Sequence, residues 1–301
     1  MGAALCWLAV SLFTFFLGLR LTGNLSLAAP ARLERLLLRA TATPTRALLV
    51  GLVVTALVHS SSAVTLATVA LVSAGLLPLQ NALGVVLGSN VGTCTTVQFL
   101  AFDFTRFAFP LAGMGAAAAA VLRGRWRRLA LGLTGFGLLL SALALLSRAL
   151  TPLAALPFFS RLLTHWTDTA PRAFFAGVLA TGLIQSSTIF TAAVMTLADQ
   201  GFFALPQAIA LVLGGNVGTC ADTLVAAIWS SRAGRRVALA HLALNLGGAV
   251  IFLPCLDPFA TLVSLTGLSP ARQVANAHLL FNLITALIAL PFVRPLARRL
   301  E

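Results

Sequence analysis

The sequence predicts an all-α polytopic membrane protein made of two inverted-topology repeats, each with a re-entrant helical hairpin and a broken transmembrane helix. Three observations lead there. The first is composition: 59% of the 301 residues are hydrophobic, only 9% are charged, and the mean hydropathy is +0.99. Soluble domains carry about 25% charged residues, so this balance belongs to a chain that spends most of its length in lipid. The second is duplication. Residues 46–94 and 172–220 align at a constant offset of 126 without a gap, with 21 of 49 positions identical. The matches include Ser60-Ser61 with Ser186-Ser187, and a Gly-x-Asn-Val-Gly-Thr-Cys stretch from Gly88 to Cys94 with the same stretch from Gly214 to Cys220. A duplicated membrane unit points to a transporter with its site between the halves. The third is arginine placement, taken up below.

Along the chain, residues 3–19 form a first apolar span. No basic segment precedes it and no small-x-small cleavage site follows, which favours a span over a signal peptide. Residues 31–39, with Arg32, Glu34, Arg35 and Arg39, read as an amphipathic helix on the membrane surface. The first hairpin covers 45–77. Its two apolar arms, 45–58 and 63–77, are each too short to span and meet at His59-Ser60-Ser61-Ser62. Backbone at such a tip cannot face lipid, so the tip lies against protein or a watery cavity. Residues 80–101 read as a transmembrane helix broken at Gly88, Asn90 and Gly92, and 107–122 as a span closed by Arg123, Arg125, Arg127 and Arg128.

The second half repeats the plan. Residues 129–147 are a span, 151–169 a surface segment, 171–204 a hairpin with Gln185-Ser186-Ser187-Thr188 at its tip, and 206–229 the second broken helix. Spans at 237–254 and 273–293 share a phrase, His241-x-x-x-Asn245 and His278-x-x-x-Asn282, with His and Asn on one helix face. The expected units are 1–128, 129–256 and 257–301. With seven spans and two hairpins that do not cross, 15 arginines fall on one side of the membrane and five (Arg106, Arg148, Arg161, Arg172, Arg272) on the other. The positive-inside rule then puts the N-terminus outside and the C-terminus in the cytoplasm of a cell-membrane protein. The same placement, between apolar runs, excludes nucleic acid as the partner that the net charge of +13 would otherwise suggest. Arg46 and Arg172, which begin the hairpins, read as interface anchors.

Each tip puts hydroxyls at the start of a helix: Ser60, Ser61 and Ser62 in one copy, Ser186, Ser187 and Thr188 in the other. Two helix N-termini meeting from opposite faces would hold an anion without buried Arg or Lys. The hydroxyls and Gln185 add donors, and hydroxyl lone pairs can also face a cation. Ser61, Ser187, Asn90, Thr93, Asn216 and Thr219 offer an oxygen shell for sodium. Asp222, an ionisable group at membrane depth, is a further candidate, with pairing to Arg232 or Arg235 as the structural alternative. Cys94 and Cys220 are read as small buried packers, with a bridge between the halves as the alternative. The His-Asn phrases read first as interhelical hydrogen-bonders.

The tips, the Gly-x-Asn-Val-Gly-Thr stretches and the His-Leu-x-x-Asn-Leu helices together resemble the type II sodium/phosphate cotransporter family, over roughly residues 44–293. The resemblance implies inverted repeats, phosphate and sodium held by the tips from His59 to Ser62 and from Gln185 to Thr188, and Na⁺-coupled transport by alternating access. It implies inorganic phosphate and Na⁺ as partners, with sodium as coupling ion and no other cofactor. His59 stands where the family has Gln, and Thr188 where it has Ser. Many bacterial relatives carry a soluble regulatory domain after the membrane part, and the sequence up to Glu301 is expected to lack one. Kept beside this reading are another small oxyanion or a carboxylate, H⁺ coupling through His59, and a non-transporting scaffold or sensor. A homodimer is left open. There is no Gly-x-x-x-x-Gly-Lys-[Ser/Thr] loop for an ATP-driven pump, and no nucleophile–base–acid set for an enzyme.

Overall fold

The computed structural model describes residues 2–23, 39–102, 107–154 and 156–300, and every regular element among them is helical. Helix α1 is Gly2–Gly23. The first hairpin is α2 (Pro44–Val58) and α3 (Ser61–Ser73), followed by α4 (Leu79–Ala101) and α5 (Ala108–Val121). Helix α6 (Gly124–Ala154) leads through α7 (Pro157–Thr167) to the second hairpin, α8 (Ala170–Ile184) and α9 (Ser187–Asp199). Then come α10 (Leu205–Gly218), α11 (Cys220–Ile228), α12 (Arg232–Phe252), α13 (Leu256–Ser264), α14 (Pro270–Ala289) and α15 (Val293–Leu300). All but Arg39 of the amphipathic segment expected at 31–39, and the residues Asp103 and Arg106, lie outside the described residues.

Local chemistry explains the short arms. Thr43 caps α2, its Oγ1 accepting the Arg46 N–H at 3.3 Å, with Pro44 in the first turn. Both hairpins close with a glycine at positive φ, Gly75 (73°) and Gly201 (78°), where a side chain would be strained. The two glycines are mates at the offset of 126.

The inner helix of each copy lies directly on the first arm of its hairpin, α4 on α2 and α10 on α8. Gly84, Gly88 and Gly92 recur every four residues and so share one face of α4. That face meets the carbonyls of Pro44, Leu48 and Leu52, so that a methyl on Gly88 would collide with the Leu48 carbonyl. In the second copy Gly214 and Gly218 meet the carbonyls of Phe174 and Val178 in the same way. Gly51 on α2 and Gly177 on α8 answer from the other side, against Val85 and Leu211. Close backbone approach through small residues is how helices gain contact where hydrophobic burial offers no drive.

This use of glycine corrects the expected break. Helix α4 runs unbroken from Leu79 to Ala101 through Gly88, Asn90 and Gly92. The glycines are there to admit α2, and the helix keeps its own hydrogen bonds. Only the second copy is interrupted, and only at Thr219, between α10 and α11.

Among the described residues, five helical stretches are long and apolar enough to cross a membrane: Leu79–Ala101, Gly124–Ala154, Leu205–Ile228, Arg232–Ser264 and Pro270–Leu300. The chain is a multi-pass membrane protein. Two expected spans, α1 and α5, are not among the five. Helix α5 has 14 residues, about 21 Å of helix against a hydrocarbon core of about 30 Å. It turns through Gly124 (φ 58°) into α6, and α1 and α5 both pack along α6. Helix α6 starts ahead of the expected span at 129–147 and ends beyond it at Ala154. Pro254 and Pro291 sit in the short 3₁₀ turns that join α12 to α13 and α14 to α15, as expected where a ring removes a backbone donor.

The glycine faces yield a direct test. Gly88→Ala and Gly214→Ala are each expected to destabilise the protein by about 1–3 kcal/mol through overpacking. Gly247→Ala, whose methyl would meet nothing within 4 Å, is expected to stay within about 0.5 kcal/mol. Thermal unfolding in detergent checks the order, and equal losses at all three positions would refute the packing account.

Candidate functional site

The two tips are built alike, residue for residue. Helix α2 ends on His59 and α8 on Gln185, each in the left-handed region (φ 57° and 56°), and these are the only non-glycine residues with positive φ among those described. Their N–H groups return to the Thr55 and Thr181 carbonyls, both at 2.7 Å. The next residue caps the second arm: Ser60 Oγ accepts the Ala63 N–H at 3.2 Å and Ser186 Oγ accepts the Ile189 N–H at 3.3 Å. Left-handed backbone on a residue with a side chain carries strain that persists only where its surroundings enforce it, and such residues cluster at functional sites. Because the capping hydroxyls face their own helices, Ser61, Ser62, Ser187 and Thr188 hold the remaining tip hydroxyls. Ser61 and Ser62 are half-buried, Ser187 and Thr188 are each 6% exposed, and Gln185 is exposed.

Below the tips the copies differ. In the first, Thr55 and Ser89 join hydroxyls at 2.9 Å, and Ser89 Oγ also donates to the Ser61 carbonyl at 3.5 Å. The mate of Ser89 is Gly215, so the Thr181 hydroxyl is buried with no partner. The Phe190 ring packs against Gly215 in place of the lost side chain. His59 pairs through Nδ1 with Thr96 Oγ1 at 2.7 Å, and its ring stacks on Phe136 of α6 at 5.4 Å between centroids. The first tip is thus pinned to α4 and α6.

The second arms reach across the repeat. Helix α3 packs on α11 and α12, with Thr65 and Thr223 hydroxyls 3.4 Å apart and Ser73 and Ser230 hydroxyls 2.6 Å apart, and α9 packs on α4. Asp222 Oδ1 accepts the Thr223 N–H at 2.5 Å and its hydroxyl at 3.0 Å. The alternative pairing of Asp222 with Arg235 is not what forms: Arg235 donates to the Ala227 and Ile228 carbonyls at 3.2 and 3.1 Å. The ion pair found among the described residues is Arg172 with Asp168, at the start of α8.

The Asn residues of the repeated stretches bond to the last long helices. Asn90 Nδ2 donates to Asn245 Oδ1 at 3.1 Å, and Asn216 Oδ1 pairs with His278 Nε2 at 3.2 Å. Cys94 and Cys220 are buried free thiols, receiving the Asn282 and Asn245 amides at 3.5 Å. They are packers, as first read, and do not bridge the halves. Thr93 Oγ1 donates to the Ser89 carbonyl at 3.0 Å and Thr219 Oγ1 to the Asn216 carbonyl at 2.6 Å, which leaves their lone pairs as the groups a cation could use.

The chain thus carries two tips of one design, each set on its own Gly-x-Asn-Val-Gly-Thr helix. The sequence profile described as Na+/Pi-cotransporter matches it twice, over residues 14–148 and 145–288. The chain belongs to the Na+/Pi-cotransporter family. The protein named "Uncharacterized protein YqeW" from Bacillus subtilis is 32% identical over 247 residues, 81% of this chain and 79% of its own length. The protein named "Putative inorganic phosphate export protein YjbB" from Salmonella typhimurium is 31% identical over 237 residues, 77% of this chain and 43% of its own. Sodium-dependent phosphate transport protein 2C from Homo sapiens is 41% identical over 85 residues, 27% of this chain and 14% of its own. This chain therefore spans less than half the length of these two phosphate-named relatives. No solved structure gives a significant match.

Within this family member, sequence reasoning missed Phe136, Thr65, Thr223 and the Thr55–Ser89 pair. The signal for Thr55 was present, since Thr181 is its identical mate; nothing local marks Phe136. The asymmetry below the tips sets a test by isosteric substitution. Thr55→Val is expected to cost about 1 kcal/mol because it leaves Ser89 short of a partner, whereas Thr181→Val is expected to be neutral or stabilising. Chemical denaturation of both variants checks it, and a larger loss at 181 would overturn the assignment.

Proposed function

We propose that the protein carries inorganic phosphate across the cell membrane by sodium-coupled secondary transport, with anion and sodium held between the two tips. The supporting observation is the tip pair itself: a left-handed residue, a capping serine and a fresh helix N-terminus, repeated at an offset of 126. N–H groups at the first turn have no partner within the helix and carry partial positive charge, which suits a phosphate oxygen. Ser61, Ser62, Ser187 and Thr188 add hydroxyl donors, with Gln185 and His59 flanking them. In this reading Ser61, Ser187, Thr93 and Thr219 turn lone pairs toward sodium, and Asp222 supplies a charge. Asn90 and Asn216 enter the sodium shell only when released from α12 and α14.

The halves are taken as inverted repeats with re-entrant hairpins, the N-terminus outside and the C-terminus in the cytoplasm, the arrangement that best collects arginine on one side. The hairpin arms, 15 and 13 residues in each copy, are about 20 Å long and too short to cross alone. Relatives named for sodium-dependent phosphate transport and for phosphate export both fit one site, because the direction of secondary transport follows the gradients.

Reconstituted protein is expected to move radiolabelled phosphate into proteoliposomes only when a sodium gradient is present, and Ser187→Ala to lower that flux about tenfold or more while membrane insertion is kept, since a hydrogen bond to a charged group is lost. Flux indifferent to sodium would remove the coupling ion, and absence of flux under every gradient would remove phosphate.

A further inference from the structure

The last long helices are joined to the two repeats in a crossed pattern. Asn90 and Asn216 are mates, as are Cys94 and Cys220. Helix α12 holds Asn90 of the first copy and Cys220 of the second through Asn245. Helix α14 holds Cys94 of the first through Asn282 and Asn216 of the second through His278. The phrases His241-x-x-x-Asn245 and His278-x-x-x-Asn282 therefore stand in equivalent places toward the two thiols, and one exchange relates the two Asn–Cys bonds. Within each phrase the Asn amide also donates to the His carbonyl, at 3.0 and 2.9 Å.

That exchange leaves one asymmetry. The first-copy Asn bonds the Asn of its phrase (Asn90 with Asn245), while the second-copy Asn bonds the His of its phrase (Asn216 with His278). The counterparts of these two bonds, Asn90 with His241 and Asn216 with Asn282, are not formed. Each would use an atom now buried without a partner, one ring nitrogen of His241 and Nδ2 of Asn216; the second His241 nitrogen and Nδ1 of His278 are unpaired as well, and His241 is only 3% exposed. A buried polar group without a partner costs free energy and calls for an explanation. A second arrangement that satisfies it is such an explanation, because packed interfaces tend to hold discrete states.

We propose that His241 and His278 are paired positioning residues of a two-state clasp, in which His278 grips Asn216 in the state described and His241 grips Asn90 in the opposite one. Each exchange would carry one Gly-x-Asn-Val-Gly-Thr helix, and the tip seated on it through its glycine face, against α12 and α14. In the present state the first tip is held by Thr96 and Phe136, and at the second Gln185 is exposed above a buried Ser187 and Thr188. The transport role of the clasp rests on the tips being the transport site, but the exchange between states does not.

The test is amide hydrogen exchange, read by mass spectrometry on the purified full chain, comparing tip peptides 57–63 and 183–189. His278→Ala removes a bond made in the present state, so the ratio of second-tip to first-tip exchange is expected to fall about fivefold, the size of one net buried hydrogen bond. His241→Ala removes a bond made only in the other state and is expected to raise the ratio by a similar factor. The double variant is expected to return near the parent value, since the two shifts oppose each other. Shifts of one sign in both single variants, or no shift in His241→Ala, would overturn the clasp. Should His278→Ala raise exchange throughout the chain, it has lost its fold and His241→Ala decides alone. Phosphate flux measured in parallel keeps the questions apart: opposed exchange shifts without flux would retain the clasp and discard the substrate.

Discussion

The structure depends on backbone meeting backbone. Helices α2 and α4, and again α8 and α10, approach so closely that carbonyls of one lie where side chains of the other would stand. In lipid no large hydrophobic drive holds helices together, so contact must come from shape, and glycine every fourth residue supplies it. Once α4 is fixed on α2, the C-terminal end of α2 is fixed as well, and with it the left-handed residue that starts the tip. The tip is a consequence of the helix pair beneath it.

Duplication makes this constraint informative. The same contact recurs 126 residues later with Phe174 for Leu48 and Val178 for Leu52. Those carbonyls are indifferent to side-chain identity, so the sequence drifts there while the glycines stay. Where the copies diverge in chemistry, the structure shows compensation. Gly215 for Ser89 makes room for Phe190, and His59 for Gln185 goes with Phe136 beneath its ring. The two tips thus share one backbone design but differ in what holds them: Thr96 and Phe136 at the first, a buried Ser187 and Thr188 below an exposed Gln185 at the second.

The polar network at the centre follows from the cost of burying amides. Asn90, Asn216, Asn245 and Asn282 lie in or beside apolar helices, where each needs partners. All but Nδ2 of Asn216 find them in one another, in two histidines, in two thiols or in nearby groups, which ties α12 and α14 to both copies at once. Membership of the Na+/Pi-cotransporter family rests on the sequence of both halves, and the arrangement gives the late His-Asn phrases a physical task.

Composition and spacing by themselves determined the membrane class, the duplication, the short paired arms and the polar tips, because hydrophobic run length and repeat offset are one-dimensional quantities. Gly75, Gly201 and the capping serines were equally open to local reading. Tertiary structure alone decided that Gly88 and Gly92 admit a neighbour and leave α4 unbroken, since a glycine that breaks a helix and one that packs it look alike in a string. It also decided that Asp222 caps Thr223, that His59 rests on Phe136, and that Asn90 and Asn216 choose different partners. Those outcomes turn on which faces meet across more than a hundred residues of chain, and no local pattern carries that distance.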